Sequence, residues 1–345
     1  MSGGRYLAMI RIVVLLLLAV SLLFVPSGGE AAEIDSVTPR KVPLENSLAA
    51  INRIFDARLI EGIEKANEKQ SDVEDMDTED FCDEDVLYTE LRKAIFQSFT
   101  ASWGLKGYDL DKQLRDLLAD RSYSLSLNDS IYRDIDYVEG FSLNLKELSD
   151  VVNINGNLVG LDKIGHMFSE GWQYFGLTRE EGETLVKAMA WGKEQEAGKY
   201  GYVTTGIFSF GDLVANFHGW RFWNSVLGKK DDPLHGFWRN LLTRPYVSCD
   251  IQVIDSVRYR KIVRAWELKK HFDLAEYVDG MWDEGNNCNS YADSTIEAKV
   301  STRIHEVDPL FTCPAVPQFC EDARKRYGSY AKYLIHPACL TSGVK

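Results

Sequence analysis

Apolar positions in the middle of the chain recur with the period of an α-helix. Between residues 161 and 175 they fall three or four positions apart and share one face: Leu161, Ile164, Phe168, Trp172 and Phe175. Polar residues fall on a neighbouring face, where Asp162 precedes His166 by four positions. The pattern therefore predicts a helix in which a carboxylate orients an imidazole and raises its basicity.

Two further helices are predicted after the first. The second is expected to begin at Thr178, which would form a capping box with Glu181, and to end near Ala197. The third is expected to begin at Ser209 and to end at Gly228. These three helices form the central part of the chain.

The third helix carries polar residues of its own on one face. Asp212 lies in its first turn, where the helix dipole favours an anion, and Asn216 and Gly219 follow on the same side. A glycine inside a helix costs about 1 kcal/mol relative to alanine. Gly219 therefore indicates that another backbone approaches the helix closely.

These polar residues resemble a known family pattern. The sequence Asp162-Lys163-Ile164-Gly165-His166, an acidic residue on the second helix, and Asp212, Asn216 and Gly219 on the third are similar to the YfiM-like periplasmic lipoprotein family. A more distant similarity is to the VanZ-like family, which is membrane-embedded, whereas this region is too polar for that. The resemblance covers roughly residues 155–228. It implies a shared site in an exported bacterial protein, without implying a reaction.

The acidic residue of the second helix is ambiguous, because Glu194 or Glu196 could match the family pattern. His218 is adjacent to Gly219 and is a possible second contributor to the site. Lys163 and Asn216 are candidates for stabilising charge or binding a ligand.

Three roles are open for the polar residues. They could form a hydrogen-bonded network that fixes the packing of the helices. His166 could instead act as a general base oriented by Asp162, with Glu194 and Asp212 as further carboxylates. No cofactor is otherwise expected, but a divalent metal bound by His166, Asp162 and Asp212 is the third possibility.

Helical periodicity also extends over the N-terminal part of the chain. It predicts helices over residues 44–69, 85–103 and 110–118. Residues 123–127 alternate weakly, as in a strand or a loop. Asn155-Gly156 could turn a hairpin between residues 151–154 and 158–161, or the chain could approach the helix in an extended form.

After Gly228 the predicted elements are shorter and the loops longer. Residues 257–266 and 274–282 are predicted to be helical. Aromatic residues are dense around this boundary and would pack in the core or form a ligand-stacking surface: Phe217, Trp220, Phe222, Trp223, Phe237 and Trp238.

The first residues have the features of a secretory signal peptide. Arg5 and Arg11 precede an apolar run from residue 12 to 25, and small residues follow, so cleavage is expected after Ala31 or Ala32. An uncleaved anchor is the alternative. The first cysteine is Cys82, so no lipid anchor is expected near the cleavage site. The predicted localisation is the periplasm or the extracellular space.

Charge and composition narrow the classes of partner. The formal net charge is −13, which argues against nucleic acid and against anionic lipid as the main partners. Residues 71–85 hold nine acidic side chains and no lysine or arginine, as expected of a solvated loop. No stretch after the signal peptide is apolar for long enough to span a membrane.

The six cysteines of an exported chain predict disulfides: Cys82, Cys249, Cys288, Cys313, Cys320 and Cys339. Fifteen pairings are possible for six cysteines. Cys313 and Cys320 are candidates for closing a short loop held by Pro314 and Pro317, and the others would tie the C-terminal region to the body.

The predicted fold is mainly α, a helical bundle with a loop-rich, disulfide-stapled helical C-terminal region. The chain divides into a signal peptide (1–31), an N-terminal helical region (32–150), a central three-helix region (151–228) and a cysteine-containing region (229–345). Two functions remain open. One is a non-enzymatic envelope protein with a structural or binding site, and the other is an envelope hydrolase or transferase that uses His166.

Overall fold

The computed structural model describes residues 33–71, 82–97, 108–145, 147–255 and 260–341. The protein is mainly helical, as predicted. Helix α1 spans Leu48–Ser71, α2 spans Glu84–Arg92 and continues into a wider turn over Lys93–Gln97, and α3 spans Tyr108–Leu117. Residues 72–81 of the acidic stretch and residues 98–103 of the second predicted helix lie outside the described residues.

A small antiparallel sheet leads into the central helices. Its strands are β1 (Ser122–Tyr123), β2 (Val151–Ile154) and β3 (Asn157–Gly160), in that order, and a short helix α4 (Phe141–Leu145) lies between the first two. Asn155 and Gly156 have φ angles of 52° and 88°, as a two-residue hairpin turn requires. The hairpin is therefore confirmed over the extended alternative, and β3 delivers the chain directly into the first central helix.

The central region contains four helices instead of the predicted three. They are α5 (Leu161–Phe168), α6 (Glu170–Arg179), α7 (Leu185–Gln195) and α8 (Phe210–Leu227). The first predicted helix is interrupted at Ser169, whose hydroxyl donates to the carbonyl of Gly165 at 2.8 Å. Serine hydroxyls that bond back to the preceding turn compete with regular helical structure.

The predicted capping box at Thr178 was wrong. Thr178 lies inside α6, where its hydroxyl donates to the carbonyl of Phe175 and accepts from Trp220 Nε1. The second helix begins later, and Thr184 caps it by accepting from the amide of Lys187. The contact of Thr178 with Trp220, which is distant in sequence, gives no signal in the local pattern.

The boundaries of the third predicted helix are confirmed in α8. The hydroxyl of Ser209 accepts from the amide of Asp212, and Gly228 closes the helix with a φ of 62°. Almost every side chain of α8 is buried, and it packs against α5 and α6. Trp223 Nε1 donates to the carbonyl of Phe168, and its ring lies 5.0 Å from that of Trp172. This helix is the centre of the core.

The C-terminal region contains a strand pair where a helix was predicted. A short helix α9 (Phe237–Leu242) precedes β5 (Val247–Asp255) and β6 (Arg260–Leu268), which pair in antiparallel register. The helix predicted over residues 257–266 was therefore wrong over residues 260–266, and residues 257–259 lie outside the described residues. Strand β6 exists through its pairing with β5, in which Trp266 lies opposite Cys249, and helical periodicity does not reveal such a partner.

The predicted helix over residues 274–282 was also wrong. This segment forms two 3₁₀ turns, Leu274–Glu276 and Gly280–Trp282, which begin at Asp273 and Asp279. Each aspartate accepts a hydrogen bond from a backbone amide two residues later. Each cap begins a new short turn, so the segment does not form one continuous helix.

Short helices and one more strand pair complete the described chain. Strand β4 (Ile207–Phe208) pairs with β7 (Ser290–Tyr291), and helices α10 (Ser294–Val307), α11 (Pro317–Tyr327), α12 (Ala331–Leu334) and α13 (Pro337–Thr341) follow. Within the described ranges, no helix has the length and apolar character needed to cross a membrane.

All six cysteines form disulfides, as predicted, but one suggested pairing was wrong. The pairs are Cys82–Cys249, Cys288–Cys313 and Cys320–Cys339. Cys313 and Cys320 do not join, because α11 directs Cys320 towards α13, where the Cα of Cys339 is 4.9 Å away. The first disulfide ties the start of α2 to β5, and the other two hold the C-terminal segment together.

The close backbone approach predicted at Gly219 is confirmed. A Cβ atom on Gly219 would lie 1.7 Å from the carbonyl oxygen of Met167 and 2.8 Å from the Cα of Gly171. Helices α6 and α8 therefore touch through their backbones at a pair of glycines. This contact brings the start of α8 near α5, where the polar residues lie.

We expect Gly219→Ala to lower the free energy of unfolding by about 3 kcal/mol or more, because backbone atoms must move to admit the methyl group. Urea denaturation of the two proteins measures the difference. Gly176→Ala is the matched control within α6, since a Cβ there would meet no atom within 4 Å. Equal losses for the two variants would contradict the close-packing explanation.

Candidate functional site

Lys163 lies at the centre of a buried cluster of ionisable side chains. Its side chain is fully buried, and its ammonium nitrogen lies 2.8 Å from Asp162 Oδ2, 2.6 Å from Asp212 Oδ1 and 2.5 Å from Glu284 Oε1. The three carboxylates come from the start of α5, the start of α8 and the loop after the Gly280–Trp282 turn. One ammonium thus joins three parts of the fold that are distant in sequence.

Ser209, the cap of α8, contacts three of the acidic residues. Its hydroxyl donates to Glu284 Oε1 at 2.8 Å and accepts from the amide of Asp212 at 3.2 Å. Its own amide donates to Glu196 Oε1 at 2.9 Å. The other oxygen of Glu284 accepts from the side chain of Asn289 at 2.6 Å. The cap that begins the helix therefore also orders the cluster.

His166 lies one turn further along α5 and faces acceptors on both sides of its ring. Its Nδ1 lies 3.1 Å from Asn216 Oδ1 and 3.6 Å from Glu170 Oε2, and its Nε2 lies 3.2 Å from Asp212 Oδ2. The Nε2 contact has ion-pair distance without hydrogen-bond geometry. The residue is 4% exposed, so the imidazole is enclosed by the protein.

Two cationic residues and the buried carboxyl residues around them form a group that we call the charge cluster. Its members are Lys163, His166, Asp162, Asp212, Glu284, Glu170, Glu196 and Glu33. Glu33 accepts from the hydroxyl of Thr205 at 2.7 Å. Carboxyl groups thus outnumber cations among these buried side chains.

Mutual attraction keeps the cationic groups charged. Burial alone lowers the pKa of Lys163, but Asp162, Asp212 and Glu284 outweigh it and raise the pKa well above its usual value. Burial likewise opposes charge on His166, yet Asp212 and Glu170 raise its pKa to about 9. Asp212 feels burial too, but His166 and Lys163 hold its pKa below the usual range. Near neutral pH the imidazole is therefore protonated and paired with a carboxylate.

The remaining carboxyl groups retain protons more readily than usual. Burial and the charge of Asp212 raise the pKa of Glu196 to about 8. Burial raises the pKa of Asp162 to about 6, although Lys163 opposes the shift. Burial and the nearby Glu284 raise the pKa of Glu33 well above its usual value. The cluster thus reduces its excess of negative charge by holding protons.

The structure brings together most of the residues that the sequence singled out. Asp162, Lys163, His166, Asp212 and Asn216 all lie in or against the charge cluster. Of the two acidic candidates on the second helix, Glu196 is buried in the cluster and Glu194 is exposed to solvent. Residues two positions apart on a helical stretch do not share a face, so one of these residues is buried and the other is exposed.

His218 lies in a separate polar group. Its Nε2 is 2.9 Å from the hydroxyl of Tyr327, and its Nδ1 is 2.7 Å from Arg221 Nη1. Burial and the charge of Arg221 place its pKa well below the usual value, so the ring is neutral. His218 therefore packs against the C-terminal helices and contributes nothing to the charge cluster.

The sequence did not indicate two carboxylates of the cluster. A third had a recognisable spacing but was not predicted to belong to the site. Glu33 and Glu284 lie far from the central motif in sequence, and no periodic pattern connects them with it. Glu170 shares the helical stripe of Asp162 and His166, so its spacing was a usable signal. A further signal was Lys163 itself, because a lysine enclosed by apolar helical positions needs carboxylate partners.

A metal ion is not required to explain the cluster. Within the described ranges, no group of three or more histidine, cysteine or acidic side chains is arranged to hold one. The ammonium of Lys163 lies between Asp162, Asp212 and Glu284, where a bound cation would otherwise be expected. The charge that a metal would supply is thus supplied by the chain.

A cavity of about 230 Å³ reaches the edge of the cluster. Glu284 and Asn289 line it together with Tyr132, Tyr291 and His336. Neither His166 nor Asp212 is among its lining residues. A small molecule in this cavity would meet Glu284, whose other contacts are Lys163 and Ser209, before it met the imidazole.

Comparison with protein-family models, curated proteins and solved structures finds no match to this chain. The resemblance to the YfiM-like and VanZ-like families therefore stays a prediction from the motif.

The charge cluster predicts that stability falls as pH rises from 7 to 9. The folded-state pKa values of His166 and Glu196 are raised to about 9 and about 8, so the folded chain binds more protons than the unfolded chain in this interval. The contribution of His166 is complete below its unfolded pKa and is lost as pH rises through 9. We expect the free energy of unfolding to fall by roughly 3 kcal/mol between pH 7 and 9.

Glu196→Gln is the variant that isolates this effect, because the amide can still accept from Ser209 but cannot ionise. Urea denaturation at several pH values should give a shallower decline than in the wild type, with the variant the more stable protein at pH 9. Glu194→Gln, at the exposed neighbouring position, should leave the profile unchanged. A wild-type stability that rises from pH 7 to 9 would contradict the assignment.

Proposed function

We propose that this is an exported cell-envelope protein without catalytic activity, in which the charge cluster is a structural network that locks the central helices to the C-terminal segment. Lys163 contacts acidic residues of α5, α8 and the loop containing Glu284. Removing one partner from a buried ionic network leaves an uncompensated charge in a low-dielectric interior. Such a network is retained when it fixes one arrangement of the elements.

The observation that carries this proposal is the state of His166. Its ring is enclosed, both nitrogens face protein acceptors, and Asp212 and Glu170 overcome the effect of burial and raise its pKa to about 9. A general base must be unprotonated at the working pH and within reach of a substrate proton. The imidazole meets neither condition, which favours an architectural role.

Export is supported by the disulfides and by the N-terminal sequence. The three disulfides are typical of proteins that fold in an oxidising compartment. Ile34 is fully buried, and residues 33–37 are buried or half-buried. Cleavage after Ala31 or Ala32 would therefore leave the described fold intact. The motif resemblance favours a bacterial periplasm over full secretion.

An envelope hydrolase or transferase is the second candidate. One observation favours it: burial and Asp212 raise the pKa of Glu196 to about 8, so this carboxyl carries a proton near neutral pH, as a general acid must. This role would require a path from solvent to Glu196 and His166. The cavity beside Glu284 stops short of both residues.

The unfolding free energy of His166→Ala at pH 7 discriminates between the candidates. Removing the imidazolium leaves Asp212 and Glu170 buried without this partner, and we expect a loss of about 3 kcal/mol. His305→Ala is the matched control, since His305 is exposed on α10 and should change stability by less than about 0.5 kcal/mol.

A His166→Ala protein as stable as the wild type, or more stable, would contradict the structural role. Residues kept for catalysis or binding often reduce stability, so that result would favour the hydrolase or transferase.

A further inference from the structure

Helix α9 presents its apolar side chains to solvent. Phe237, Trp238, Leu241 and Leu242 are 72%, 73%, 65% and 78% exposed. Their spacing places them on one broad face of the helix. Four large apolar residues exposed together are unusual for a protein surface and mark a contact with another apolar phase. Of the two alternatives for this aromatic segment, core packing holds for Phe217, Trp220, Phe222 and Trp223 only.

The polar side of α9, in contrast, faces the body of the protein. The side chain of Asn240 accepts from the amide of Asp232 at 3.0 Å and donates to the carbonyl of Asp232 at 3.1 Å. Asp232 is in turn held by the guanidinium of Arg221 at 2.6 Å, and Leu234 packs against the core. The helix is therefore fixed in an orientation that keeps its apolar face outward.

Two cationic residues accompany this face. Arg239 and Arg244 are exposed, and neither has an ion-pair partner among the residues that the structure describes. Lys229, in contrast, is paired with Glu84. Although the whole chain carries a net charge of −13, charges further away than about 8 Å are largely screened at physiological ionic strength. A surface that meets α9 would therefore meet these two arginines beside the apolar side chains, with the exposed Asp231 six positions before the helix.

A second copy of the chain fits this face less well than a membrane does. A stable protein interface buries roughly 800 Å² on each partner and includes about 20 residues. Helix α9 has six residues, and its apolar side chains project from it. Aromatic rings and leucines flanked by arginines are, by contrast, the composition of helices that lie in the boundary between lipid headgroups and acyl chains.

We propose that α9 is a membrane-contact element that inserts Phe237, Trp238, Leu241 and Leu242 into the headgroup region of an anionic phospholipid surface. Arg239 and Arg244 would pair with the lipid phosphates. This inference rests on the exposed helix alone and does not depend on the role of the charge cluster. It gives the protein a peripheral attachment to the envelope that requires no lipid anchor.

Trp238 provides the test, because the other tryptophans in the described ranges are buried or half-buried. The mature protein is mixed with vesicles of phosphatidylglycerol and phosphatidylcholine in equal parts. We expect the protein to co-sediment with the vesicles and its tryptophan emission to shift to shorter wavelength. In Trp238→Phe the protein should still co-sediment, and the spectral shift should be lost.

Substitutions separate the apolar and the charged contributions. The double variant Phe237→Ser with Trp238→Ser should lower vesicle partitioning by more than about tenfold. Each of Arg239→Gln and Arg244→Gln should lower it about fivefold and weaken its dependence on salt. Leu310→Ser is the matched control, since Leu310 is 89% exposed on another part of the surface. Thermal unfolding verifies that each variant remains folded.

Three results would overturn the proposal. The first is the absence of co-sedimentation and of a spectral shift with the wild-type protein. The second is equal partitioning of the wild type and the double serine variant. The third is a concentration-dependent dimer in sedimentation equilibrium that the double variant abolishes, which would assign α9 to contact between two copies.

Discussion

The fold depends on the ammonium of Lys163 and the carboxylates of Asp162, Asp212 and Glu284 that enclose it. An isolated charge in a protein interior is strongly unfavourable, so neither the lysine nor the carboxylates would be stable there alone. Together they join the start of α5, the start of α8 and a loop more than 70 residues further along the chain, at distances of 2.5 to 2.8 Å. The interaction therefore joins three segments that are distant in the sequence.

Other features of the structure follow from this constraint. The carboxyl groups exceed the cations, so the cluster retains protons: burial raises the pKa of Glu196 to about 8, and Asp212 raises that of His166, against the effect of burial, to about 9. Enclosing such a cluster needs close packing around it, which the glycine contact between α6 and α8 provides. The disulfides Cys288–Cys313 and Cys320–Cys339 hold the segment that contributes Glu284 and lines its cavity.

The sequence predicted the local features of this arrangement better than the long-range ones. Helix α8 and its cap at Ser209 depend on neighbouring residues, and patterns revealed them. The close approach at Gly219 was indicated by a glycine inside a helix, but its partners, Met167 and Gly171, were not. Glu33 and Glu284 join the cluster only through the tertiary fold, so no pattern indicated them. The helix predicted over residues 257–266 failed for the same reason, because β6 exists through its pairing with β5. The motif did not distinguish Glu196 from Glu194, and only the structure shows that Glu196 is buried in the cluster while Glu194 is exposed to solvent.

The most direct test of the account is a double-mutant cycle between Lys163 and Glu284. The unfolding free energies of the wild type, Lys163→Met, Glu284→Gln and the double variant are measured in urea at pH 7. If the ammonium and this carboxylate stabilise each other, each single variant is strongly destabilised, and the double variant loses less than the sum by about 2 kcal/mol or more. Losses that simply add would contradict the account, since the two side chains would then stabilise the fold independently.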